Sequence, residues 1–218
     1  MMETTMTDTS LSKQAQQQSA AMDHIAQLYQ QAFSDNPTQV EASQWLAEQL
    51  PKGAKVLDVG CGSGVPTAKL LADQEMDVLG IDFSSKMIEL AQQQVANAKF
   101  QIMDISNIDF EAESFDAIAC FFSLLMLKKE DIVSSLKQLY QTLKPGGYFL
   151  ISMVEGDFDY IEIPFFDTKV NVSAYTKSAL ESELTAAGFS IIKSHDVEFR
   201  AYKEAAAEQQ IFIYCQRN

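Results

Sequence analysis

The chain has 218 residues, enough for one large domain with its own core. Its formal net charge of −14 is spread along the sequence with no Lys/Arg cluster against it, which argues against nucleic acid and anionic membrane surfaces as partners. Three well-separated cysteines, Cys61, Cys120 and Cys215, form no CxxC pair, so neither a disulfide framework nor a metal site is expected.

Residues 1–20, rich in Thr, Ser and Gln, read as a disordered tail without the arginines of a transit peptide. There is no secretory h-region and no apolar run of about eighteen residues, so a cytoplasmic protein is expected. The remainder, 21–218, reads as one domain. Met22, Ile25, Tyr29 and Ala32 recur at helical spacing until DNP at 35–37 breaks the pattern. Thr38 and Glu41 then make a capping box for a helix carrying Trp45, Leu46 and Leu50. Pro51 and Gly53 close this helical preface, 21–52.

From 53 to 154 apolar strands alternate with amphipathic helices. KVLDV (55–59), DVLGID (77–82), FQIMD (100–104), FDAIACFF (115–122) and YFLISMV (148–154) read as strands. Ile132, Leu136, Leu139 and Leu143 mark the helix before LKPGG. Continuously apolar strands separated by helices imply a parallel sheet covered on both faces, a Rossmann-like doubly wound α/β architecture. The segment 155–175 is irregular and mixes carboxylates with Phe158, Tyr160, Phe165 and Phe166. It reads either as an acceptor lid or as an ordinary solvated connection. A helix from about Thr176 to Gly188 and a pair of antiparallel strands complete the C-terminal segment, 176–218.

The first strand runs into Gly60-Cys61-Gly62-Ser63-Gly64-Val65. A dinucleotide fingerprint needs its third glycine where Val65 stands, and no GK[ST] follows to make a P-loop. Asp58, just before the glycines, disfavours a pyrophosphate and favours a ligand carrying positive charge. S-adenosylmethionine is such a ligand, with a sulfonium, an ammonium and no phosphate. The turn's backbone N–H groups are expected to receive its carboxylate.

DVGCGSG resembles motif I of the class I S-adenosylmethionine-dependent methyltransferases, and the later elements follow that family's order. Relatives of the ubiquinone/menaquinone methyltransferase type are similar. The resemblance spans roughly 39–218 and implies a seven-stranded sheet of order 3-2-1-4-5-7-6, its last strand antiparallel. It implies that Asp58, Gly60, Cys61 and Gly62 surround the methionyl end, joined by the backbone at Cys120 and Phe121. Asp82, about twenty residues past the glycines, would hold the ribose diol, since its two oxygens can each accept one O–H. Asp104 would accept from the adenine amino group, with Phe83, Met87 and Ile105 around the ring. Tyr29 either reaches over the cofactor or packs within the preface. Taken singly, Asp82 and Asp104 also suit loop or capping positions, and Phe83 and Met87 suit a core.

The activity implied is methyl transfer from S-adenosylmethionine to a small-molecule N or O acceptor, leaving S-adenosylhomocysteine. FFSLLML (121–127) has Leu125 and Met126 where many such relatives carry histidine, so no catalytic base is assigned. His24 and His195 read as exposed or structural. A nicotinamide-dependent reductase is disfavoured by Val65 and Asp58. A non-catalytic adenosylmethionine-binding regulator would share every motif.

Overall fold

The computed structural model describes residues 11–201 and 206–218. Helices α1 (Lys13–Phe33) and α2 (Pro37–Gln49) precede β1 (Lys55–Val59), α3 (Thr67–Asp73), β2 (Asp77–Asp82), α4 (Ser85–Gln94) and β3 (Lys99–Ile102). There follow β4 (Phe115–Phe121), α5 (Lys129–Thr142) and β5 (Leu143–Val154). The chain ends with β6 (Phe158–Phe165), β7 (Thr168–Ala174), α6 (Lys177–Ala187), β8 (Phe189–Phe199) and β9 (Glu208–Arg217).

Seven strands form one sheet in the order β3-β2-β1-β4-β5-β9-β8. The first five are parallel, and β9 runs antiparallel to both β5 and β8. With β6 and β7 set apart, β8 and β9 occupy the sixth and seventh places, as the family order implies. Successive residues of a strand point to opposite faces, so continuous apolar runs divide between two cores. Leu57, Ile118, Phe149 and Ile213 face α5 and α6, against Ile132, Leu136, Leu180 and Leu184. Val56, Ala117, Leu150 and Phe212 face α2 and α3, against Leu46 and Leu71. Each such fully buried aliphatic side chain contributes about 1.5–3 kcal/mol.

Three expectations change. Asn36, not Thr38, caps α2, because Pro37 takes the first helical position and the Asn36 side chain accepts from Gln39 N. Of the expected tail, residues 1–10 lie outside the described residues, but the first helix begins at Lys13. Ser12 caps it, its Oγ accepting from Ala15 N at 3.1 Å. One glutamine of the polar run is buried: Gln18 exchanges two hydrogen bonds with the backbone of Asn171 in β7, at 2.5 and 3.1 Å. Long-range pairing thus orders a segment whose composition alone favours disorder.

The irregular 155–175 segment is a β6–β7 hairpin forming its own two-stranded sheet. Ile161 pairs with Val172 and Ile163 with Val170, and Val170, Val172 and Ala174 are buried. Left-handed backbone at Tyr160 (φ 50°) and Phe166 (φ 53°) places a bulge and a turn within the aromatic stretch, which masks the alternation.

Candidate functional site

The carboxyl ends of β1, β2 and β4 open into one cleft, roofed by α1 and the hairpin. Outside the carboxyl ends of the strands, where the strand order reverses between β1 and β4, is where open α/β sheets bind ligands. Gly60 and Gly62 turn the chain there with φ of +68° and +52°. A Cβ on Gly60 would lie 2.1 Å from Ser123 Cβ, so only glycine lets β1 and the turn after β4 close together. A Cβ on Gly62 would meet nothing within 4 Å, on the open floor of the cleft.

The N–H groups of this turn are largely committed within the protein. Those of Gly60 and Cys61 donate to Ile81 O at 2.8 and 2.9 Å, and that of Gly64 donates to Cys61 O at 2.9 Å. The Gly62 N–H donates to Asp82 Oδ2 at 3.0 Å. The expectation that these donors receive a ligand carboxylate is therefore corrected for these four: they hold the turn's shape, and the glycines supply space.

Two carboxyl groups are buried beside the turn. Asp82 is 8% exposed, and its Oδ1 accepts from Ser84 N at 2.8 Å. Burial raises it to about 6 against those backbone hydrogen bonds, with the Asp23 charge adding to the rise. Asp58 is 3% exposed, and its Oδ2 has no hydrogen-bond partner. Burial, then the Asp82 charge, pushes it up to about 7, opposed by a hydrogen bond from the Ala68 backbone. Two such groups without a basic neighbour among the described residues suit a cationic ligand. The orphaned Asp58 oxygen fits an ammonium, and Asp82 retains lone pairs for a diol.

Of the other expected residues, Tyr29, Cys61, Phe83, Met87, Ile105 and Phe121 line the cleft together with Gly60, Gly62 and Asp82. Asp58, Asp104 and Cys120 do not. Asp58 stands in β1, two residues before Gly60. Cys120 is fully buried, its sulfur 3.2 Å from Ser123 Oγ. Asp104 caps the short 3-10 turn Ile105–Asn107, accepting from Ser106 N at 2.9 Å and Ser106 Oγ at 2.7 Å. Its other oxygen accepts from Ser12 N at 3.1 Å, at the start of α1. The rest of α1 is tied to the same strand ends. Ser19 Oγ donates to Phe83 O at 3.1 Å, and Asp23 accepts from Ser84 Oγ, Ser85 Oγ and Lys86 N at the head of α4.

Beyond Gly62 the cleft widens into an aromatic chamber. Tyr29 and Phe33, one helical turn apart on α1, have ring centroids 4.7 Å apart, and each lies 6.2 Å from Phe165 of β6. Leu125, Met126, Phe158 and Ile163 extend the apolar wall. Neither histidine lines it: His24 pairs with Asp167 at 3.0 Å in the open, and His195 stacks on Phe212. Sequence reasoning missed a polar edge formed by Asn36, Glu208 and Gln210. Glu208 and Gln210 are two apart on one strand, hence on one face, and that spacing was the available signal.

Comparison with known proteins agrees with this geometry. The sequence pattern of the family described as "Methyltransferase domain" matches residues 56–147. YqeM of Bacillus subtilis (strain 168), which bears a methyltransferase name, is 30% identical over 85% of this chain and 75% of its own. The ubiquinone biosynthesis O-methyltransferase of Coxiella burnetii is 34% identical over 49% of this chain, which spans only 46% of that relative. The crystal structure of the Burkholderia thailandensis 1,6-didemethyltoxoflavin-N1-methyltransferase, with its namesake ligand and S-adenosylhomocysteine bound, superposes with a TM-score of 0.70. It is 21% identical and covers 97% of this chain and 93% of its own, a likeness of fold.

Proposed function

Because the chain belongs to the class I S-adenosylmethionine-dependent methyltransferases, we propose that it methylates a nitrogen or oxygen of a small, flat, apolar acceptor. The carrying observation is that one cleft joins the glycine turn and Asp82 to the aromatic chamber of Tyr29, Phe33, Phe158 and Phe165. S-adenosylmethionine supplies a methyl carbon already activated by its sulfonium, so the reaction asks the protein chiefly for alignment and exclusion of water.

In this reading Asp58 balances the cofactor's ammonium through its unpaired oxygen. Asp82 accepts from the ribose diol while it stays anchored by Gly62 and Ser84. Phe83, Met87 and Ile105 enclose the adenine. Tyr29, Phe33 and Phe165, packed on one another, form the aromatic wall against which the acceptor lies and keep the chamber dry. Names among the comparisons support both kinds of acceptor atom, one relative being an O-methyltransferase and one fold neighbour an N1-methyltransferase. The net charge of −14 disfavours a nucleic acid in this role.

The test is transfer of label from methyl-labelled S-adenosylmethionine to a panel of small phenols and heteroaromatic amines. Label in an organic-extractable product is the expected result. Transfer only to protein or nucleic acid, or to nothing in the panel, would overturn the proposed acceptor class.

A further inference from the structure

Among the described residues lining the chamber away from Asp82, Glu208 is the one carboxylate. It ends a directed chain of hydrogen bonds. Asn36 caps α2, its Oδ1 accepting from Gln39 N at 3.2 Å. A backbone N–H can only donate, so the Asn36 oxygen must be the capping atom and its amide nitrogen must face the other way. That nitrogen donates to Gln210 Oε1 at 2.9 Å, and Gln210 Nε2 donates in turn to Glu208 Oε1 at 2.7 Å.

Asn36 and Gln210 are each 1% exposed, so neither amide can turn toward water. The cap on α2 therefore dictates which face Gln210 presents and holds Glu208 as an acceptor. No cation among the described residues pairs with Glu208, and its second oxygen has no protein donor among them. Nearby, burial first, then the charges of Asp82 and Glu208, raise the Tyr29 phenol, which therefore stays protonated. Glu208 is left as the carboxyl hydrogen-bond acceptor on this side of the cleft.

We propose that Glu208 sets acceptor specificity: its free oxygen receives an N–H or O–H from the edge of an aromatic acceptor held among Tyr29, Phe33 and Phe165. Asn36 and Gln210 are positioning residues for that carboxylate. The proposal rests on the small-molecule reading above. A ligand presenting an ether oxygen at the same edge meets lone pairs with lone pairs and is rejected, because a site built around one hydrogen bond discriminates strongly against an analogue that lacks it.

The full chain, saturated with S-adenosylhomocysteine, is titrated with 2-naphthol and with 2-methoxynaphthalene by calorimetry. The natural chain should prefer 2-naphthol by about tenfold or more. In Glu208→Gln the side-chain oxygen stays with the Gln210 N–H, so an NH2 group faces the chamber and the preference should vanish or invert. Asn36→Asp keeps a good helix cap but has no donor for Gln210, whose amide turns over and repels Glu208. This variant should also lose preference, with S-adenosylhomocysteine affinity unchanged in both. Equal binding of the two probes by the natural chain, or an undiminished preference in Glu208→Gln, overturns the role of Glu208 and leaves the small-molecule reading standing. Binding of neither probe by the loaded natural chain overturns both.

Discussion

Replacing Asp58 by Asn removes a carboxyl group that the folded chain buries without a countercharge. The side chain is 3% exposed, and burial followed by the Asp82 charge carries it from 3.8 to about 7. A carboxyl raised on folding binds its proton more tightly in the native state than in the unfolded chain. Its contribution is therefore fully present below about pH 4 and is lost as pH climbs through about 7. At about 1.36 kcal/mol per pH unit, that displacement is on the order of 4 kcal/mol.

Asp58→Asn escapes this loss, so the ligand-free variant should be more stable than the natural chain by about 2–4 kcal/mol at about pH 8. For a chain of this size that is a Tm higher by roughly 4–16 °C. By about pH 5 the advantage should shrink by about 2–3 kcal/mol, since most of the titration lies above that pH. Thermal melts of both proteins, ligand-free, at the two pH values are the assay. S-adenosylhomocysteine, which keeps the ammonium, should bind the variant more weakly. A variant no more stable than the natural chain at the higher pH, or a gap that does not change with pH, would refute the uncompensated-carboxylate account.

Asp82→Ala should weaken S-adenosylhomocysteine binding by about 1–3 kcal/mol in calorimetry, because it removes a buried acceptor; its effect on acceptor binding should be small. The two glycines should separate cleanly in melts and titrations. Gly60→Ala forces a Cβ against Ser123 at positive φ and should cost about 2–5 kcal/mol of stability, whereas Gly62→Ala should cost about 1–2 kcal/mol and chiefly lower cofactor affinity. Phe165→Ala should leave S-adenosylhomocysteine affinity within about twofold while weakening aromatic probes about tenfold, since that ring meets both Tyr29 and Phe33 across the chamber.

The sheet was legible because its signals are periodic and local. Runs such as VLDV and IACFF, buried on both faces, cannot be solvated strands, and Thr176 and Gly188 bracket α6 as a cap at each end. The glycine turn was legible for a similar reason, since Gly60 and Gly62 mark a backbone held at positive φ. Asp104 shows the limit. Its place at a strand end is visible in the sequence, but its engagement by Ser12 depends on a contact 92 residues away. Gln18 was read as part of a polar tail because nothing local distinguishes a glutamine that meets water from one that completes a distant strand. The Asn36–Gln210–Glu208 chain escaped notice likewise: it joins residues 174 apart through amides that carry no hydrophobic period.

The β6–β7 hairpin joins the main sheet at no point along its strands; the β5–β9 ladder runs on without it, and an isolated bridge between Glu155 and Tyr175 stands at its base. Its fastening is through side chains instead: Gln18 of α1 pairs with Asn171, and Ser173 Oγ donates to Leu127 O at 2.7 Å. Because α1 in turn grips Phe83 and Ser84 through Ser19 and Asp23, a change within residues 158–174 would travel to the strand ends by way of that helix, while the register of the central strands stands without it.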